Sequence, residues 1–221
     1  WAFQLYGPVR REEAQAIFRQ LDVQTVPDLV RMLRSKDPLL TKMLFPPPVW
    51  LPLPLQQLIR RSIRPADASA RRIVAANAIA SLGPKASAAV PALAVLLCGD
   101  NPDERWPAAT ALGRIGSPAA IEVCVSALRS PVTNLHHAAV YALGEMGTNA
   151  APALAEVLGC LGHPLEEVRA SASHTLTQIG TPALEPLVER VRTGRGTARR
   201  TAAQVLPRLC STPRIALPPL L

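Results

Sequence analysis

The sequence predicts an all-α fold, a right-handed α-solenoid of about five or six helix-turn-helix repeats. Two observations predict this fold. A sequence motif recurs every 30 to 33 residues, and an excess of Ala and Pro follows the same period. The 221 residues include 35 Ala and 23 Pro, and 48% are apolar but only 4% aromatic. This apolar fraction excludes a disordered chain. Collagen is excluded because no Gly-x-y period exists, and no apolar run reaches the ~20 residues of a membrane helix.

The recurring motif is a run of apolar residues that ends at an anchor glycine. Its first copy is Ala78–Gly83. The later copies are Ala111–Gly116, Ala142–Gly147, Thr175–Gly180 and a degenerate Gln204–Cys210. The anchors Gly83, Gly116, Gly147 and Gly180 and the final Cys210 are therefore spaced by 33, 31, 33 and 30 residues. One such unit cannot bury its apolar face alone, so stacking of copies is expected to form a continuous core.

Each copy has the pattern of two helices joined by a turn. An Ala-rich stretch ends at the anchor glycine, which can take the left-handed conformation that terminates a helix. The second apolar stretches are Ala88–Cys98, Ala119–Leu128, Ala150–Leu158 and Ala183–Val191. Pro91, Pro152 and Pro186 stand early in these stretches, where a missing N–H is tolerated. Alanines recur in the first helices and are expected to let neighbouring helices approach closely. They are Ala75, Ala76, Ala108, Ala109, Ala138, Ala139, Ala170, Ala172, Ala202 and Ala203.

The two ends of the chain depart from this pattern. Residues 1–66 are expected to form a divergent N-terminal repeat or cap, with a helix over Arg11–Leu21 and a Pro-rich insertion at 46–54. The 61 residues from Asp22 to Gly83 indicate an intermediate unit, with Leu55–Ile63 as its second helix. Residues 67–210 are the regular repeats. Residues 211–221 form a Pro/Leu tail that either covers the open face or docks into another chain as an oligomer contact.

The repeat resembles a known family. The pattern Val-Arg-x-x-Ala-x-x-x-Leu-x-x-Ile-Gly over Val168–Gly180 is similar to the HEAT repeat. The short, Ala-rich form near 31 residues resembles the subgroup named for phycobilin lyases, and Ser81–Leu93 resembles bacterial HEAT-repeat proteins of unassigned function. The resemblance covers residues 67–210 well and 11–34 weakly. It implies the fold, whereas the family includes scaffolds, lyases, hydroxylases and nucleic-acid binders.

A basic residue recurs eleven positions before each anchor. We call this set the basic ladder: Arg11, Arg72, Arg105, His136, Arg169 and Arg199. One interpretation is a binding row for phosphates, acidic peptide or nucleic acid. The other, which the sequence favours, is structural: each side chain bonds a carbonyl or a carboxylate between repeats. Candidate carboxylates are Asp103, Glu104, Glu166 and Glu167.

The charge is uneven along the chain. Residues 1–72 carry 12 basic and 6 acidic side chains, residues 73–190 carry 6 and 10, and residues 191–221 carry 6 and none. The net charges of +6, −4 and +6 sum to the overall +8. A uniform nucleic-acid groove would be positive throughout. The sequence favours solvated basic surfaces at the two ends; the alternative is that they contact phosphate, an anionic membrane surface or an acidic partner.

Aromatic side chains concentrate near the N-terminus. Trp1, Phe3, Tyr6 and Trp50 are interpreted as a cap over the exposed end of the stack or, alternatively, as an aromatic docking patch. Trp106 is expected to pack on the neighbouring repeat, and Tyr141 to lie in the core or line a groove. The cysteines are interpreted as small buried apolar residues: Cys98, Cys124, Cys160 and Cys210.

These patterns favour a non-catalytic scaffold that presents a solenoid groove to a protein partner. Binding of nucleic acid or an anionic surface through the basic ladder is the alternative, and a bilin-lyase-like or other HEAT-repeat enzyme is the third. We expect no catalytic residue, metal or cofactor, because His137 is followed by Ala138 where a hydroxylase-like repeat would carry Glu. No membrane span is expected in this chain. The first residue is Trp1, so an exported or processed form stays open beside the favoured cytoplasmic one.

Overall fold

The computed structural model describes residues 23–34 and 68–210, without the side chain of Cys210. Several sequence predictions therefore lie outside the described residues. They concern the helix over Arg11–Leu21, Arg11 itself, the insertion at 46–54, the helix over Leu55–Ile63, the tail at 211–221, and Trp1, Phe3, Tyr6 and Trp50.

The described residues are helical and contain no strand. The first helices of successive units are α2 (Ala68–Leu82), α4 (Pro102–Ile115), α6 (Thr133–Met146), α8 (Glu166–Ile179) and α10 (Gly196–Cys210). The second helices are α3 (Val90–Cys98), α5 (Pro118–Arg129), α7 (Leu154–Cys160) and α9 (Leu184–Thr193), and α1 (Val26–Leu33) precedes them. Short 3₁₀ turns over Val23–Thr25, Gly83–Ala89, Gly147–Ala153 and Thr181–Ala183 lead into α1, α3, α7 and α9. This alternation confirms the all-α solenoid.

The helices form two layers. Each first helix packs on the first helix of the next unit, so α2, α4, α6, α8 and α10 make one continuous layer. Each second helix packs mainly on the first helix of the unit that follows, and more lightly on the next second-layer element. The core between the layers is built from apolar side chains such as Ile79, Leu112, Leu143 and Leu176, which are fully buried.

Helix α1 takes the place of a second helix directly before α2. Its buried Val26, Leu29 and Leu33 pack on α2, with smaller contacts to α3, which is the arrangement of every later second helix. Pro27 lies in its first turn, as Pro91 does in α3. The intermediate unit expected from the 61-residue spacing lies outside the described residues and stays a prediction.

The anchor glycines share a positive φ, although Gly147 and Gly180, with ψ of −131° and −136°, lie outside the left-handed helical region that the sequence predicts. Gly83, Gly116, Gly147 and Gly180 all have positive φ, between +57° and +78°. At Gly116 (φ +57°, ψ +21°) the amide donates to the Leu112 carbonyl oxygen at 3.1 Å and ends α4. Because a side chain is strained in this conformation, glycine is required where α4 turns toward α5.

Small residues do bring the first helices together. Most of the recurring alanines are fully buried, although Ala170 and Ala203 are exposed. The closest approaches occur at glycines: a Cβ at Gly113 would lie 2.5 Å from the Cβ of Glu145, and one at Gly144 would lie 2.8 Å from Oγ1 of Thr175. Thr175 in turn donates its hydroxyl to the Val140 carbonyl oxygen at 2.9 Å, which joins α8 to α6.

Two further features qualify the sequence predictions. Cys124 and Cys160 are buried as expected, but Cys98 is exposed at the end of α3. The stretch Ala68–Cys98 is long and apolar enough to cross a membrane by length and composition, with half of it buried within the protein. This is weak evidence for a span, because the core helices of soluble proteins pass the same test. The stretch is also interrupted at Ala86, whose backbone is not helical.

Candidate partner-binding surface

The structure gives three members of the basic ladder the same local contact. Arg105 donates from Nη2 to the carbonyl oxygen of Gly99 at 2.9 Å, His136 places Nε2 2.8 Å from the carbonyl oxygen of Ser130, and Arg169 donates from Nη1 to the carbonyl oxygen of His163 at 2.7 Å. The acceptor lies six residues earlier in each case. These carbonyls belong to the segment between the preceding second helix and the next first helix, so each ladder side chain fastens this loop to its own helix.

Additional contacts tie these side chains further. Arg105 also donates from Nε to the carbonyl oxygen of Leu97 at 3.2 Å, near the C-terminal end of α3, where a cation is favoured. Arg169 also bonds the carbonyl oxygen of Pro164 at 2.8 Å. The N–H groups of Arg105 and Arg169 that form these bonds are not available to a ligand. Contacts of this kind fit the structural interpretation of the basic ladder better than the binding one.

Arg72 reaches across to the next unit instead. It donates from Nε and Nη2 to the two carboxylate oxygens of Glu104, at 2.9 and 2.6 Å. The Glu104 carboxylate is 5% exposed and also accepts from Asn101 Nδ2 at 2.9 Å. This bidentate pair joins α2 to α4 and holds the first two regular units in register.

An aromatic cluster lies on the exposed face of the first-helix layer. Trp106 of α4 contacts His137 and Tyr141 of α6 edge to face, with ring centroids 4.9 and 5.3 Å apart. Trp106 does pack on the neighbouring repeat, as expected, but it remains 42% exposed. Of the chain's few Phe, Trp and Tyr residues, the described ranges contain only Trp106 and Tyr141, and the fold brings these two together.

Two clefts flank the aromatic cluster. The larger, of about 400 Å³, lies between α6 and α8 and is lined by Tyr141, Glu145, Ser171, His174 and Gln178, among others. The smaller, of about 190 Å³, lies on the other side of the cluster, where Trp106, Thr133, Asn134, His137 and Glu167 contribute to its walls. The larger cleft also borders Gly144, which has no side chain, and Ala170, which has only a methyl group, and these two residues leave it open. Sequence reasoning missed His174 and Gln178, although both follow the 33-residue offset from Tyr141 and Glu145.

Comparison with known proteins agrees with the repeat architecture. Models of the HEAT repeat match residues 55–133, 91–159 and 122–207. The chain belongs to the HEAT-repeat family. HEAT repeats are generally protein-interaction scaffolds, and their solenoids are typically non-enzymatic. A crystal structure of an engineered protein from the Northeast Structural Genomics Consortium matches this chain with a TM-score of 0.42. The two sequences are 19% identical, and the match covers 90% of this chain and 96% of the engineered one. No curated protein matches this sequence.

The HEAT-repeat layer gives the aromatic cluster a mixed electrostatic setting. Burial raises the pKa of Tyr141, and the nearby Glu145 carboxylate raises it further, so the phenol stays protonated and can donate a hydrogen bond. The exposed Glu167 carboxylate lies 3.9 Å from Nδ1 of His137. Arg114 acts in the opposite direction to Glu145 and lowers the pKa of Tyr141, as does a hydrogen bond with Thr110. The cluster thus offers two aromatic rings and two carboxylates to a molecule lying across the HEAT units.

The described HEAT units hold no group of three or more His, Cys, Asp or Glu side chains arranged for a metal ion. The chemistry that this surface offers is contact and hydrogen bonding along α4, α6 and α8.

Proposed function

We propose that this HEAT-repeat protein is a non-catalytic scaffold that binds a partner polypeptide across the exposed face of its first-helix layer. One observation carries the proposal: Trp106 is 42% exposed beside His137 and Tyr141, with a cleft on either side. A tryptophan held by neighbouring rings loses little conformational freedom on binding. Exposed Trp and Tyr side chains at such positions are the residues that most often dominate binding energy.

The charges around the aromatic cluster favour a basic segment of the partner. Glu145 and Glu167 stand at the two clefts, and residues 73–190 carry a net charge of −4. A Lys or Arg side chain over the face of an indole or phenol gains a cation–π contact, and a carboxylate nearby adds to it. We therefore propose an extended partner segment whose cationic side chain lies against Trp106, with polar neighbours in the cleft at His174 and Gln178.

The test begins by capturing partners from the native organism with the wild-type chain and identifying them by mass spectrometry. Each candidate is then purified, and its affinity is measured for the wild type and for Trp106→Ala. We expect the substitution to weaken binding by about 30-fold, because truncating a hot-spot aromatic costs roughly 2 kcal/mol or more.

The matched control is Val95→Ala on α3, since Val95 is 71% exposed and lies in the second-helix layer. This variant is expected to bind as the wild type does. Equal affinity of Trp106→Ala and wild type for every captured partner would place the contact surface elsewhere. The affinity is also expected to fall only moderately with salt. Salt screens ion pairs, and only one or two of them contribute to this largely aromatic contact.

The enzyme alternative is not proposed. HEAT-repeat solenoids are typically non-enzymatic, which favours the scaffold.

A further inference from the structure

Arg199 stands at the ladder position of the last repeat, yet it lacks the contact of its equivalents. The other described ladder residues each bond a backbone carbonyl or a carboxylate, as shown above. The Arg199 side chain is exposed and forms no hydrogen bond or ion pair with any described residue. The loop before its helix has two residues, 194–195, where α4 and α6 are preceded by three, 99–101 and 130–132. Arg199 is nevertheless the fourth residue of its helix, as Arg105, His136 and Arg169 are of theirs, so the missing contact does not follow from its position along the helix.

Three further arginines surround this position. Arg192 lies in the last turn of α9. Arg195 lies in the loop before α10, and Arg200 follows Arg199 in the first turns of α10. All four are exposed and none pairs with a described residue. We call Arg192, Arg195, Arg199 and Arg200 the arginine patch. The carboxylates of the preceding helix, Glu185 and Glu189, form no ion pair with it, and no acidic residue occurs from 191 to 221.

We propose that the arginine patch binds the phosphate backbone of nucleic acid, at the C-terminal end of the described stack and away from the aromatic cluster. Guanidinium groups bind phosphate oxygens through two parallel hydrogen bonds, so four unpaired ones within nine residues suit a ligand that carries a phosphate on every nucleotide. Their exposed neighbours Thr193, Thr197 and Gln204 add hydroxyl and amide groups of the kind that contact phosphate and sugar.

The surroundings of the patch favour nucleic acid over other anionic partners. An anionic membrane surface is bound through apolar side chains as well as charge, and Val188 is the one large apolar side chain exposed on the described α9 and α10. An acidic peptide is recognised through pockets for its other side chains. The arginine patch and its neighbours provide arginine and small polar side chains only. These suffice to bind a phosphate backbone regardless of base sequence, but they provide no pockets that would recognise the side chains of a peptide.

The experiment measures fluorescence anisotropy of a labelled 20-base-pair duplex and a labelled 20-nucleotide single strand with the full chain. Salt is varied from 50 to 200 mM. We expect binding at 50 mM that weakens steeply with salt, because each neutralised phosphate contributes about −0.9 to the slope of log K against log salt for duplex DNA. In the double variant Arg195→Ala/Arg199→Ala the slope is expected to fall by about 2.

The control variant is Lys85→Ala/Arg34→Ala, which removes the same charge from two exposed side chains elsewhere. It is expected to keep the wild-type slope, and circular dichroism checks that both variants stay folded. Absence of binding at 50 mM salt would overturn the proposal, as would equal losses in the two double variants. Binding to phosphatidylserine vesicles or to poly-glutamate without binding to either oligonucleotide would also overturn it. None of these outcomes bears on the Trp106 contact, which is tested separately.

Discussion

His136 and His163, from consecutive units, face each other with Nδ1 of the first 3.0 Å from Nε2 of the second. The backbone around them fixes which nitrogen holds each proton. The Leu165 amide donates to Nδ1 of His163 at 3.1 Å, so that nitrogen is unprotonated and Nε2 donates to His136. His136 then donates from its own Nε2 to the carbonyl oxygen of Ser130 at 2.8 Å. The chain of bonds is complete only when both rings are neutral.

This arrangement predicts that stability falls as the solution becomes mildly acidic. Burial, His136 and Arg169 hold the pKa of His163 below its usual 6.5. The unfolded chain therefore binds the proton more readily than the folded one, and stability rises with pH in this range. The contribution is fully present above pH 6.5 and is lost as the pH falls from there through the lowered pKa. Urea unfolding between pH 8 and pH 5 measures it.

The variant His163→Gln is expected to flatten this pH dependence while lowering stability at pH 8, because the bond to His136 is weakened. His174→Gln is the matched control, since His174 is exposed and lies outside the network. An unchanged pH slope in His163→Gln would show that the two rings do not set it.

Arg105 and Arg199 stand at equivalent positions but differ in their contacts. Replacing each by alanine is therefore expected to change the free energy of unfolding by different amounts. Arg105→Ala removes two charge-assisted hydrogen bonds to carbonyls at the end of α3 and is expected to lower the free energy of unfolding by about 1–3 kcal/mol. Arg199→Ala removes no bond to a described residue and is expected to change it by less than about 0.5 kcal/mol. Denaturant unfolding of the two variants side by side gives both values, and equal losses would contradict the difference in contacts.

The period in the sequence was sufficient to predict the repeats, because each anchor glycine reports a backbone conformation that other residues rarely adopt. Bonding of the ladder side chains to carbonyls or carboxylates was one of two interpretations of the sequence. Arg105, His136 and Arg169 bond carbonyls of the preceding loop, and Arg72 bonds Glu104. These features are local, and their signal is repeated several times along the chain.

Features that depend on distances between units could not be predicted in the same way. The exposure of Trp106 depends on which side chains of α6 and α8 stand beside it, and the cleft next to Tyr141 exists because Gly144 and Ala170 are small. The different behaviour of Arg199 could not be predicted either, because Arg199 stands at the same helical position as Arg105 and Arg169. The packing of α1 directly against α2 was not expected either, because contacts between units are not visible in the spacing of the sequence.

The close approach of α4 and α6 predicts a specific cost at Gly113. A Cβ there would lie 2.5 Å from the Cβ of Glu145 and 2.9 Å from the carbonyl oxygen of Ala142, so Gly113→Ala forces the two helices apart. Overpacking of this kind costs about 1–3 kcal/mol, which exceeds the gain of up to about 1 kcal/mol that alanine brings to a helix. The expected result is a net loss of thermal stability.

Gly159 provides the matched control, because it lies in α7 and a Cβ there would meet nothing within 4 Å. Gly159→Ala is expected to stabilise the protein by about 0.5–1 kcal/mol through helix propensity alone. If both variants were stabilised, the close contact at Gly113 would not be a constraint of the fold.

The cysteines predict an order of chemical reactivity. Burial raises the pKa of Cys124 to about 12 and that of Cys160 to about 11, and the reactive thiolate is therefore nearly absent from both at pH 8. Cys98 is exposed at the end of α3. With iodoacetamide at pH 8, followed by peptide mass spectrometry, Cys98 is expected to be labelled in the folded protein, while Cys124 and Cys160 are labelled only after urea is added. Labelling in a Cys98→Ser variant checks that Cys124, whose pKa is also raised by Cys98, stays protected without it. Modification of Cys124 as fast as Cys98 in the folded chain would mean that the second-helix layer opens around α5 on the timescale of the reaction.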